Sequence, residues 1–298
     1  MPPSDAFAAA RPRLLKLAYR MLGSAAEAED AVQDAYIRWH GTDRAAVREP
    51  AAWLTTVVTR LCVDRLRAAR TVREHYVGPW LPEPVLTGPA TPRERLELAE
   101  GLTMALLVVM EALTPAERAA FILREAFDYD YADIAAVLET TEVNARQLVS
   151  RARRQVDTDA VRQRAPAGVA ARLAAAFRTA AETGRMDKLE QLLHADVVAR
   201  SDGGGHVKAA RNPILGRDKV SRFVLGLMGK AGPDIEMRPA VVLGGPGFIG
   251  MAAGRIFSVV SLTTREGSVS AIDIILNPDK LKRILGDGRS GADTHGVT

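Results

Sequence analysis

Residues 131–156 read YADIAAVLETTEVNARQLVSRARRQV, and this stretch decides the fold of the first half of the chain. A short helix over Tyr131–Leu138 is followed by the turn Glu139-Thr140-Thr141 and a longer helix over Glu142–Val156. In the second helix Ala145, Leu148, Val149, Ala152 and Val156 recur at helical spacing and form one packing stripe. That stripe turns Asn144, Arg146, Gln147, Ser150, Arg151 and Arg153 outward. Helix, tight turn and an arginine-bearing second helix make a helix-turn-helix, whose second helix enters the major groove. Arg, Gln and Asn carry the paired donors and acceptors that match guanine and adenine edges there. The turn ordinarily takes glycine at its left-handed position, whereas this chain has Glu139. The same stripe would also suit a plain helical hairpin on a soluble bundle.

Working outward, Thr114-Pro115-Ala116-Glu117 is a capping box with proline at the first helical position, where its missing N–H costs nothing. Ser24-Ala25-Ala26-Glu27 is a second capping box. Behind it Ala28, Ala31, Val32, Ala35 and Trp39 define an apolar face, opposite Asp30, Asp34 and Arg38 with Gln33 nearby. A further helix after Pro50 runs to about Arg70, with Leu54, Val57, Val58 and Leu61 inward and Thr56, Arg60, Asp64 and Arg67 outward.

Two proline-marked breaks organise the chain. Pro79, Pro82, Pro84, Pro89 and Pro92 interrupt any regular helix between 78 and 92, and a second break falls at 164–168. The expected division is a helical domain over 5–75, a Pro-rich linker over 76–92, a helix-turn-helix domain over 93–160, a mixed domain over 167–285 and a flexible tail over 286–298.

The whole sequence has 298 residues, 47% of them hydrophobic and 26% charged, enough apolar content for ordinary cores. Its one cysteine, Cys62, excludes an internal disulfide framework and a cysteine-built zinc site. No secretory signal and no membrane-length apolar stretch is visible, so a soluble cytoplasmic protein is expected. The net charge of +4 hides an asymmetry: residues 1–165 hold 22 Lys+Arg against 23 Asp+Glu, and the remainder 18 against 13. Within the near-neutral first half the signs segregate, with five arginines and one acid over 60–73. Such local basic stripes suit phosphate contact.

After Val169, helices around Leu173–Ala181 and Lys188–Leu193 precede β-branched runs at Val197–Ser201, Ile235–Leu243, Ile256–Thr263 and Val269–Leu276. His194, Asp196, Asp202, His206 and Asp273 are the acid–base candidates by type. Loop and strand-end roles explain them equally well, since Asp202 opens a glycine turn where a carboxylate caps backbone amides.

Taken together, Tyr19-Arg20-Met21-Leu22-Gly23-Ser24, Ala28–Asp34 and Trp39 resemble region two of bacterial extracytoplasmic-function sigma factors. Leu113–Arg118, Ala132-Asp133-Ile134-Ala135 and Arg146–Arg153 resemble region four. The linker Trp80-Leu81-Pro82-Glu83-Pro84, with Asp202-Gly203-Gly204-Gly205 and Asn277-Pro278-Asp279-Lys280-Leu281, resembles the group with a fused C-terminal SnoaL-like domain, the mycobacterial sigma factor J type among them. The resemblance implies a multidomain fold: two all-α sigma domains followed by an α+β cone around an antiparallel curved sheet. It implies binding to core RNA polymerase through Asp30, Gln33 and Asp34. It also implies promoter contact at the −10 element through Arg60, Arg65, Arg67 and Arg70, and at the −35 element through the Glu142–Arg154 helix. Arg60 stands where many members have asparagine, so −10 specificity does not transfer at that position. His206 stands where relatives often have lysine. The resemblance implies no enzyme activity, metal or cofactor. The fused cone is expected to regulate the sigma part in cis, with the linker docked near Asp202–Gly205 and a small-molecule ligand as a candidate occupant. Two other readings remain open: a ligand-sensing helix-turn-helix regulator acting without polymerase, and a cone enzyme fused to a helical partner-binding module.

Overall fold

In the computed structural model, which describes residues 3–73, 76–87, 93–156, 167–230 and 235–286, Gly23 at φ 68° ends the first helix. That left-handed residue carries no Cβ penalty, and its N–H returns to the Tyr19 carbonyl. Helix α1 (Pro3–Leu22) turns there into α2 (Ala25–His40), whose cap Ser24 accepts from the Glu27 N–H at 3.3 Å. A single turn at Arg44–Ala46 leads to α3 (Pro50–Arg73), which packs against both. Leu14, Leu17, Tyr19, Leu54 and Val58 are buried where these helices meet. Trp39 is buried as well, and its ring tilts against half-buried Trp53 at 5.3 Å.

The second helical set comprises α4 (Arg93–Ala99), α5 (Met104–Met110), α6 (Pro115–Phe127), α7 (Tyr131–Leu138) and α8 (Glu142–Val156). At the start of α6 the Thr114 N–H donates to Glu117 Oε2 at 3.0 Å, while Thr114 Oγ1 accepts from the Glu117 N–H at 3.3 Å. The two sets belong to one unit, and α3 packs on α6 and α7. Arg118 is buried within this unit and bonds Glu111 at 2.7 Å, and Glu111 also pairs with Arg73. Burial of Cys62 pushes its thiol up, which leaves it an inert packing residue.

The second unit is an α+β cone that includes residues 76–87. Helices α9 (Ala167–Glu182), α10 (Met186–Leu192) and α11 (Arg217–Lys230) accompany strands β1 (Leu193–Asp202), β2 (Ile214–Leu215), β3 (Ile235–Val242), β4 (Gly245–Ala252), β5 (Arg255–Arg265) and β6 (Ser268–Ile275). Helix α12 (Pro278–Gly286) follows. The sheet order is β2-β1-β6-β5-β4-β3. The three hairpins from β3 to β6 are antiparallel, as expected, but β1 runs parallel to β6, so the sheet is mixed. The chain leaves β1 through β2 and α11, crosses to the far edge and returns to β6 in the same direction as β1. Leu173, Phe177, Leu189, Val220, Phe248 and Ile272 belong to one buried cluster on the helix-covered face.

Strand β4 and helix α11 carry no strand or helix expectation from the sequence. Glycine and proline weaken the β4 signal, yet Gly247 is required there: a Cβ would stand 2.2 Å from the Val260 carbonyl oxygen. The expected tail beyond Gly286, the prolines Pro89 and Pro92, and the break at 164–166 lie outside the described residues.

Candidate nucleic-acid interface and linker seat

The helix-turn-helix is built by caps. Asp130 accepts from the Asp133 N–H at 2.8 Å and starts α7, and Glu139 ends it in the left-handed conformation (φ 52°, ψ 51°). Glu139 thus takes the position where glycine is usual, and the following N–H of Thr140 returns to the Ala135 carbonyl at 2.9 Å. Arg60 of α3 supports the strained corner. Its Nε donates to the Val137 carbonyl at 3.0 Å, its Nη2 donates to the Ala136 carbonyl at 3.1 Å, and Nη1 pairs with Glu139 at 2.8 Å. Carbonyls at a helix C-terminus and a carboxylate are natural partners for a guanidinium.

On α8, Ala145, Leu148, Val149, Ala152 and Val156 are buried. Arg146, Gln147, Ser150, Arg151 and Arg153 are exposed, and Asn144 is half-buried. Several of them are already engaged. Asn144 Nδ2 donates to Thr140 Oγ1 at 2.8 Å, and Arg146 pairs with Glu142 while stacking on the Tyr131 ring. Arg151 pairs with Glu117 at 2.8 Å and Arg153 with Glu125 at 2.6 Å, so both tie α8 to α6. Burial pushes the Glu117 carboxyl up, but bonds from Thr114 and Arg151 outweigh it and hold it below the ordinary glutamate value. Val143, 67% exposed beside Asn144, was missed by sequence reasoning. An exposed apolar side chain of this kind is the type that contacts a thymine methyl in a major groove.

On α3, Arg67 and Arg70 are exposed, Arg67 with Asp64 at 3.4 Å. Arg65 instead bonds Asp34 at 2.6 Å and the Glu27 carbonyl, so a residue expected on DNA and one expected on polymerase hold each other. Asp30 and Gln33 are exposed on α2. One turn on from Gln33, Ile37 is 61% exposed and extends that face, an apolar position the sequence reading did not single out.

In the cone, the linker has a seat. Asp202, fully buried at the end of β1, accepts from Tyr76 Oη at 2.5 Å, the Leu81 N–H at 2.9 Å, the Gly204 N–H at 3.0 Å and Lys280 Nζ at 2.6 Å. Lys280 also donates to the Leu81 carbonyl and stands 4.0 Å over the Trp80 ring. Asn277 Nδ2 donates to Tyr76 Oη at 3.0 Å, and Asn277 Oδ1 accepts from the Asp279 N–H. Gly204 (φ 64°) lies so close to Asn277 that a Cβ would stand 2.4 Å from its side chain. Leu81, Pro82, Glu83 and Pro84 are buried, Trp80 is half-buried, and Leu281 is buried. Beyond them Leu86 bridges Val242 antiparallel, and the Thr87 N–H donates to the Val241 carbonyl, extending the β3 edge. His206 and Asp279 approach at 3.4 Å; Lys282, and secondarily His206, hold that carboxyl low. Gly203 and Gly205 flank the turn, and Pro278 opens α12. Tyr76, the residue before the proline-rich run that completes this network, was missed; its only sequence signal is an amphipathic ring at a break.

The acid–base candidates are dispersed. His194 meets Arg265 and Asp196 at the start of β1. Asp273 is buried against Arg200 at 2.7 Å, with burial pushing its carboxyl up and Arg200 opposing. Strand alternation puts Asp273 on the face opposite Ile272 and Ile274. Among the described residues, no group of three or more His, Cys, Asp or Glu is placed to hold a metal, and no helix is long and apolar enough to cross a membrane.

Comparison with known proteins places these surfaces in context. Residues 6–72 match the model of sigma-70 region 2, and residues 103–156 match that of sigma-70 region 4. The chain is 39% identical over 287 residues to "ECF RNA polymerase sigma factor SigJ" of Mycobacterium tuberculosis, covering 92% of this chain and 91% of the relative. It is 29% identical over 292 residues to "Probable ECF RNA polymerase sigma factor SigI" of the same organism, covering 96% and 98%. The crystal structure of Mycobacterium tuberculosis SigJ superposes with a TM-score of 0.76 at 37% identity, over 94% of this chain and 98% of that one.

Proposed function

Because the chain belongs to the extracytoplasmic-function RNA polymerase sigma factors, we propose that it works through three separate surfaces: the α2 face, the α3 arginines and the α8 helix. As a sigma factor it binds core RNA polymerase and promoter DNA and directs transcription initiation. Asp30, Gln33 and Ile37 supply the polymerase face, with charge at its edge and an apolar centre. Asp34 contributes when Arg65 releases it. Arg67 and Arg70 bind −10 phosphates, which position without specifying sequence. Asn144, Arg146, Gln147 and Val143 read −35 bases, Ser150 lies on the same face, and Arg151 and Arg153 brace α8 before they serve DNA. A partner of core polymerase and promoter DNA would work in the cytoplasm, which is the localisation this reading carries.

Arg60 has two jobs in this reading. While it caps α7 it holds the region-two and region-four helices together, and it becomes available to the −10 strand only when they separate. The cone regulates that separation. Residues 76–87 are part of the chain that joins α3 to α4, so seating them on the cone shortens the tether between the two DNA-binding sets. The Asp202–Lys280 seat is the observation that carries this regulatory reading. A regulator acting without polymerase is not favoured, since the sigma regions and the full-length relatives account for the whole helical half.

The test is in vitro transcription with core polymerase on a genomic promoter library, comparing the full chain with a chain ending near Pro166. Altered promoter output on truncation is expected. Unchanged output with intact protein removes regulation in cis, and absence of core binding by both removes the three-surface assignment.

A further inference from the structure

The cone encloses a cavity of about 210 Å³ on the helix-covered face of its sheet. Phe177, Val224, Phe248, Val260, Ile272 and Ile274 give it an apolar wall. An apolar cavity of about 150 Å³ accepts benzene and otherwise stays dry, so this volume takes a body of about eight carbons. Ser258 is a neutral polar group among the lining residues, and the charged ones are Arg178, Glu182 and Lys230. None of His194, Asp196, Asp202, His206 and Asp273 is among them.

The charged group is unevenly satisfied. Arg178 Nη1 reaches Glu182 at 3.5 Å, the outer limit of a hydrogen bond, while Arg178 Nε is buried without a partner among the described residues. A buried guanidinium N–H left unpaired is costly, and a carboxylate is the planar group that satisfies it. Two cations against one acid, on a half of the chain with 18 Lys+Arg against 13 Asp+Glu, favour an anion at this opening.

We propose that this cavity is a binding site for a small amphiphilic carboxylate, its apolar body against Phe177 and Val260 and its head on Arg178 with Lys230. The cone's acid–base candidates lie elsewhere and the charged residues lie at the opening, so the ligand is held and released unchanged. Its role as the signal read by the cone rests on the regulatory reading above; its binding does not.

Octanoate and 1-octanol serve as probes, titrated calorimetrically into the full-length protein without polymerase or DNA. Saturable one-to-one binding of octanoate is expected, at least about tenfold tighter than octanol, and Arg178→Gln abolishes that preference while octanol binding persists. Val224→Phe, which fills the cavity, abolishes binding of both, with thermal melting checking that the variant folds. Should it not fold, the acid-against-alcohol comparison in the native and Arg178→Gln proteins decides alone. Equal affinity for acid and alcohol overturns the anionic class, and absence of saturable binding of either overturns the site. Transcription by the same octanoate-loaded protein is scored separately, so failure of regulation is distinct from failure to bind.

Discussion

Arg60 and Val137 are joined across 77 positions of the chain by a hydrogen bond of 3.0 Å from the guanidinium Nε to the helix-terminal carbonyl. The function proposed above also gives this side chain to the −10 strand, and one guanidinium cannot cap α7 and touch that strand at once. Arg60→Ala removes the cap. Faster amide exchange over 131–140 is expected in the free protein, with stability lower by about 1 kcal/mol for a half-exposed charged bond. Unchanged exchange at Thr140 would mean that Glu139 holds the corner unaided.

Arg146 is positioned by Glu142 and the Tyr131 ring rather than left to wander. Arg146→Ala is expected to weaken binding to the recognised −35 element by about 1–3 kcal/mol, the value of a bidentate base contact. Binding competition on intact and scrambled −35 duplexes measures it. Equal losses on both would make Arg146 a phosphate contact.

The exposed α2 face gives a separable prediction. Ile37→Glu is expected to lower affinity for core polymerase at least about tenfold, because it puts a charge at the apolar centre of a buried patch. Its side chain is exposed, so the thermal melt of the free protein stays within about 0.5 kcal/mol of the parent. A normal pull-down of core enzyme would remove Ile37 from the interface.

Asp202 is fully buried with Lys280 at 2.6 Å and three further donors on its carboxylate. Asp202→Ala strands the Lys280 ammonium and the Leu81 N–H, and a loss of about 3–5 kcal/mol in cone stability is expected. Protease cleavage within 76–87 and a red shift of Trp80 emission report release of the linker. Retention of the parent cleavage pattern would show that the Leu86–Val242 edge pairing suffices.

Glu117 sets a pH dependence in the helical unit. Its carboxyl titrates below the ordinary value when folded, so its contribution is present above about pH 4.3 and is lost as pH falls through the lower folded value. Acid unfolding of the native chain is expected to be steeper there than that of Glu117→Gln. Coincident acid limbs would discount the Thr114 and Arg151 bonds together.

The helical half was legible because its signals are local. The Thr114 and Ser24 caps and the α8 stripe lie within a few residues of what they control, and the burial of Ala145, Leu148, Val149, Ala152 and Val156 follows the period. What escaped depended on partners distant in the chain. Nothing near Arg60 announces the Val137 carbonyl, and nothing near Arg65 announces Asp34. In the cone, the β3–β4, β4–β5 and β5–β6 hairpins turn on Leu243-Gly244, Ala253-Gly254 and Glu266-Gly267, each pair at positive φ. The first residues of those turns are not the Asn, Asp or Gly that advertises such a hairpin, so β4 gave no signal. The approach of the linker to Asp202–Gly205 was expected from the shared motifs, but the bonds of Asp202 to Tyr76, the Leu81 N–H and Lys280 depend on the pairing of β1 with β6.

That pairing also fixes an order of events at the ribosome. Strand β1 finds its parallel partner only after some seventy intervening residues are made, with Val198 opposite Ala271, and Lys280 emerges later still. During synthesis the helical half is therefore complete before the anchor for residues 76–87 exists. On the regulatory reading proposed above, each nascent molecule therefore starts without that restraint and acquires it when β6 and α12 are made.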